Sequence, residues 1–119
     1  MPKVKGTPVW VFRNQSADAV SEDAVDCTRW YNALSVQVIA NGASPTATLS
    51  IIGAPAFGAT YLSLPDPNAS KVLTGSTAFD VVVGSAWAKG QLASISGSFT
   101  VIFTPCRSPG PCSINARVG

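Results

Sequence analysis

The sequence predicts an all-β fold, an antiparallel β-sandwich of jelly-roll type with about eight short strands. Three observations predict it. Apolar residues alternate with polar ones at a period of two, turn residues recur at intervals of roughly ten, and no window of a dozen residues carries the i, i+3, i+4 spacing of an amphipathic helix. Leu34, Val36 and Val38 alternate with Ser35 and Gln37, and Leu49 and Ile51 alternate with Thr48 and Ser50. Val81 and Val83 flank Val82 after Phe79 and Asp80, and Phe99, Val101 and Phe103 alternate with Ser98, Thr100 and Thr104. Side chains of a strand point to opposite faces in turn, so each run offers one apolar face to a core.

Taken in order, the elements fall near residues 8–13, 17–21, 33–41, 46–53, 59–64, 77–83, 87–95 and 98–104. Asn41-Gly42 is a hairpin signal, lengthened into a loop by Ala43, Ser44 and Pro45. Pro65-Asp66-Pro67-Asn68 is a turn by composition. Gly75-Ser76, Gly84-Ser85 and Ser96-Gly97-Ser98 punctuate the second half. The best helical candidate runs from Ser21 to Trp30, where Ser21 would cap a turn carrying Glu22 and Asp23, although Val25 and Cys27 fit a strand equally well. The ends differ from the middle. Residues 1–15 read as a basic N-terminal arm whose far end is a possible first strand. Residues 16–104 are the sandwich domain, and residues 105–119 are a Pro-rich C-terminal arm.

At 119 residues the chain is one domain and can bury a core without help from disulfides or metal. Charged residues make up 12%, about half the usual roughly 25% for soluble domains. That suits a neutral surface partly covered by neighbouring subunits. Net charge is +2 and the basic residues are scattered, which argues against nucleic acid as a partner. Asp18, Glu22, Asp23 and Asp26 cluster as a solvated turn. No apolar run approaches the roughly 20 residues of a membrane helix, and none follows the N-terminus at signal-peptide length, so the expectation is synthesis in the cytoplasm and no membrane partner. The three cysteines allow one disulfide (Cys106 with Cys112, or Cys27 with either) or three free thiols.

The chain contains no histidine, so a Ser-His-Asp or Cys-His arrangement is excluded and the commonest general base and metal ligand are missing. No P-loop, GxGxxG or GxSxG motif occurs. A cysteine nucleophile would need activation by a neighbouring cation, and Cys106 beside Arg107 is the one arrangement of that kind. The expectation is a protein that is not an enzyme, with no catalytic residues, cofactor or metal. A carbohydrate- or surface-binding module would use aromatic platforms, for which Trp30, Tyr31 and Trp87 are the candidates; burial in the core is the competing reading for Trp87.

The stretch from Val81 to Pro105, together with residues 32–42 (Asn-Ala-Leu-Ser-Val-Gln-Val-Ile-Ala-Asn-Gly), residues 47–53 (Ala-Thr-Leu-Ser-Ile-Ile-Gly) and Tyr61-Leu-Ser-Leu, resembles the small β-sandwich proteins of bacteriophage virions. These are capsid decoration (cement) proteins and tail or neck components. The likeness spans about residues 16–104 and is one of pattern and strand order. It implies a capsid decoration protein that stabilises the head shell as a homo-oligomer, such as a trimer, bound to the major capsid protein or other virion proteins and located in the virion. A tail, neck or fibre part is the alternative. Partner-binding residues are expected in the N-terminal arm at Lys3, Lys5, Trp10, Phe12 and Arg13, with Trp10 or Phe12 as apolar anchor, and at Trp30 and Tyr31. Deleting residues 1–14 is then expected to abolish capsid binding and leave the domain folded.

Overall fold

The computed structural model describes residues 7–27, 32–56 and 58–106. Its strands are β1 (Val9–Gln15), β2 (Ala19–Val20), β3 (Val25–Asp26), β4 (Ala33–Ala54), β5 (Leu62–Ser63), β6 (Ser70–Leu73), β7 (Thr77–Val82) and β8 (Trp87–Cys106), with one 3-10 turn at Pro67–Ala69. All pairings are antiparallel and join the strands into one hydrogen-bonded sheet.

The pairings nest. Working inward from both ends of the chain, β1 pairs with β8 near Phe99–Phe103, β2 with β8 at Gln91–Leu92, and β3 with β8 at Trp87–Ala88. β7 then pairs with β4 at Ala33–Val38, β6 with β4 at Ala47–Ser50, and β5 with β4 at Ile52–Gly53. This is one long hairpin of chain. A second ladder zips β4 to β8 over almost their whole length, from Ala33 opposite Cys106 to Ala54 opposite Trp87. Rolling a long hairpin until its two sides pair in this way generates the two interlocked Greek keys of a jelly roll.

Both central strands turn a corner midway, and the corner divides the sheet into two layers. One layer holds β1, residues 98–106 of β8, residues 33–41 of β4, and β7. The other holds β2 and β3, residues 87–93 of β8, residues 46–54 of β4, and β6 with β5. At the corner the ladder skips from Asn41 opposite Ser98 to Thr46 opposite Ser96. Gly42 and Gly97 take φ of 123° and 83° there, and Ser94 takes 56°. A Cβ on Gly97 would lie 2.7 Å from the carbonyl oxygen of Asn41, so the two backbones approach as closely as only glycine allows.

The layers face each other across one core. Leu34, Val36, Val38, Phe99, Val101 and Phe103 come from the first layer, and Leu49, Ile51, Leu73, Ala88 and Leu92 from the second. Each large side chain among them contributes about 1.5–3 kcal/mol by leaving water. Contact between layers is direct at Gly90, where a Cβ would sit 3.2 Å from the rings of both Phe12 and Phe103.

The all-β fold and the sandwich follow the sequence expectation; several boundaries do not. The expected pairs 33–41 with 46–53 and 87–95 with 98–104 are two continuous strands, and Asn41-Gly42 makes a corner instead of a hairpin. Its flanking runs find partners in β7, β6 and β8, so long-range pairing overrides the local turn signal. Ser21 caps no helix, and Val25–Asp26 is a strand. The segment expected at 59–64 shrinks to Leu62–Ser63, and β6 at Ser70–Leu73 had no period-two signal long enough to find it. β8 runs on through Pro105 and Cys106, both buried, past the expected end of the domain at 104.

Edges are managed individually. β1 carries two register shifts, and Asn14 within it has φ 48°. The β7 edge is occupied by the turn before β6: Val82 N donates to Asp66 Oδ2 at 2.6 Å, and Asn68 Nδ2 donates to the carbonyl of Asp80 at 3.1 Å. Bulges and capped edges stop other strands from adding to a sheet.

Candidate docking groove

The chain crosses from the first layer to the second between β1 and β2, and a groove of about 360 Å³ opens along that crossing. One wall is β1, with Trp10, Phe12 and Arg13; the other is the segment from Ala19 to Asp23. Side-chain hydrogen bonds to backbone hold both walls. Asn14 N donates to Thr100 Oγ1 at 3.0 Å, and Gln15 Nε2 donates to the carbonyl of Ala17 at 2.8 Å. Asp18 Oδ1 accepts from Ile95 N at 3.3 Å. Ser21 is the main fastening. Its N–H donates to the Gly90 carbonyl at 2.8 Å, its Oγ accepts from Gly90 N at 3.0 Å, and that Oγ donates to the Asp23 carbonyl at 2.9 Å. Ser21 is buried, so each of these bonds replaces water that cannot reach the site.

The register shift between Trp10 and Phe12 decides what the groove presents, because strict alternation would place these two residues on one face. Phe12 points inward and is 5% exposed, so it is part of the core and cannot anchor a partner. Trp10 stands opposite Ile102 on the outer face and is 41% exposed. The Arg13 guanidinium stacks over the Trp10 ring, 5.3 Å from its centroid. Val20, 47% exposed, adds an apolar surface on the facing wall, next to Glu22 and Asp23.

Of the residues expected at a partner interface, the structure brings Trp10 and Arg13 to this groove and moves Phe12 to the core. Lys3, Lys5, Trp30 and Tyr31 lie outside the described residues. Deleting residues 1–14 would remove most of β1 and the buried Val11 and Phe12, so it is not the clean removal of an arm. Sequence reading noticed the acidic cluster but not that Glu22 and Asp23 share a groove with Arg13. The pairing depends on where the chain crosses between layers, which no local pattern encodes.

The remaining chemistry-bearing groups lie elsewhere. Cys27 is a free, buried thiol. Burial, and secondarily the neighbouring Asp26 carboxylate, push its pKa from 9.0 up to about 12, which leaves it protonated and unreactive at neutral pH. Cys106 is disulfide-bonded, which rules out the pairings through Cys27 and removes Cys106 as a nucleophile. Trp87 is half-buried at the start of β8, opposite Ala54 and Asp26, neither fully in the core nor an open platform. Among the described residues, Lys71 covers the Phe79 ring at 5.2 Å and Lys89 the Tyr61 ring at 4.8 Å.

The fold is shared with a solved structure, that of the SPBc2 prophage-derived protein YomS. The two superpose with a TM-score of 0.62 over 88% of this chain and 96% of that one, at 10% sequence identity. At that identity the likeness is one of fold. No protein-family model matches the sequence, and no curated protein matches it.

Proposed function

We propose that this chain is a structural protein of a bacteriophage particle, that it acts by surface contact and not by catalysis, and that it decorates the head shell. The observation that carries the reading is the jelly-roll fold held in common with a prophage-derived protein over nearly the full length of both chains. Jelly rolls recur in viral capsid proteins, where a rigid two-layer body presents its outer faces to neighbours. The low charge of the chain fits such a body.

The test is co-sedimentation of the purified protein with separated heads and tails of the phage whose genome encodes it. Saturable binding to heads, with increased resistance of the shell to heat, is the expected result. Binding confined to tails would move the protein to the tail and overturn the decoration role. No binding to either, combined with quenching of tryptophan fluorescence by a glycan, would replace the virion reading with a carbohydrate-binding module built on Trp10.

A further inference from the structure

We propose that the groove between β1 and β2 is a self-association site, in which a second copy of this chain docks about a two-fold axis and Arg13 of each copy meets Glu22 and Asp23 of the partner subunit. The groove has walls of opposite sign: Arg13 on β1, and Glu22 and Asp23 on the segment after β2. Although they line one groove, none of the three forms an ion pair in the described structure; Arg13 is engaged with the Trp10 ring. Stacking uses the face of the guanidinium and leaves its in-plane N–H donors for a carboxylate.

A uniformly basic or acidic partner would meet like charge on one wall. A copy rotated by a two-fold axis meets opposite charge on both, because an isologous interface pairs residue i with j and j with i. The centre of such an interface would be Trp10 and Val20, both exposed in the single chain. Trp and Arg are the residue types most often dominant at interface centres. The register shifts of β1 keep its edge from continuing into another sheet, so the contact is one of side chains. The inference does not depend on the phage assignment and addresses a different contact.

The test is sedimentation equilibrium of the full chain from micromolar to submillimolar concentration, at low and high salt. The expected wild-type species is a dimer that weakens as salt rises. Arg13→Glu alone and the double variant Glu22→Arg/Asp23→Arg should each weaken association by about tenfold or more. An equimolar mixture of the two variants should restore a mixed dimer, since both charge contacts are then complementary. That restoration also shows that neither variant is misfolded, and Arg13→Gln is the milder form if Arg13→Glu does not fold. A monomeric wild type, a dimer indifferent to either charge reversal, or a mixture that stays monomeric would each overturn the proposal.

Discussion

Replacing Gly97 by alanine tests whether the corner in β4 and β8 is what lets one sheet close into two layers. Gly97 has φ +83°, and a Cβ there would lie 2.7 Å from the Asn41 carbonyl oxygen and 3.1 Å from Pro45 Cβ. The left-handed backbone costs an L-residue about 1–2 kcal/mol. Forcing the Asn41 carbonyl to retreat, next to its ladder position opposite Ser98, adds about 1–3 kcal/mol, as overpacking does elsewhere. Against this, alanine reduces the freedom of the unfolded chain, which returns about 0.4–1 kcal/mol. The net expectation is a loss of about 1–4.5 kcal/mol, a large share of the roughly 5–15 kcal/mol that holds a domain together. Two controls separate the terms. Gly84 has φ +65° with nothing within 4 Å, so Gly84→Ala should show only the backbone cost. Gly75 has neither constraint, and Gly75→Ala should be neutral or slightly stabilising. Urea unfolding, with the slope unchanged across the series, measures all three. If Gly97→Ala is no worse than Gly75→Ala, the close approach at the corner is not holding the layers together.

Further outcomes follow from the same contacts. Asp66→Ala removes the acceptor for Val82 N and for Asn68 N, and should cost about 2 kcal/mol in urea unfolding while leaving β7 open to aggregation on prolonged heating. Gly90→Ala and Phe12→Leu touch across the layers, so their combined loss should fall short of the sum of the singles by more than about 0.5 kcal/mol; strict additivity in denaturation would deny the contact. Phe103→Ala opens the centre of the core and should cost about 3–5 kcal/mol, read as a lowered midpoint in thermal unfolding. Cys27 should resist a thiol reagent at pH 8 in the native state. After denaturation without reductant, Cys27 should be labelled and Cys106 not. The Cys27 thiol ionises near 9.0 when unfolded and near 12 when folded, so its effect is nil below pH 9. Stability should then fall as pH rises from about 9 toward about 12, and Cys27→Ala should flatten that slope.

The groove and the proposed capsid role make separate demands on the same body. A jelly roll leaves the outer faces of both layers free once its core is filled, and the β1–β2 crossing is one place where polar and apolar side chains gather at a layer boundary. The 3-10 turn at Pro67–Ala69 plugs the β7 edge, which removes one route by which copies would stack as open sheets.

The period-two runs identified the apolar faces from local pattern alone. Leu34, Val36, Val38, Leu49, Ile51, Phe99, Val101 and Phe103 are all buried, because alternation states which side of a strand is apolar wherever that strand lies. Turn composition likewise found Pro65–Asn68. What pairs with what was decided only by the tertiary structure. Asn41-Gly42 carries the residues of a hairpin, yet its flanking runs gain more by zipping to β8, β7 and β6, and the glycine serves a corner. β6 is four residues long and is stabilised by β4, not by its own pattern. Arg13 and Glu22 share a groove because the chain passes there from one layer to the other. Local sequence encodes the face of each strand, whereas neighbours across the sheet are chosen by the sum of pairings over the whole chain.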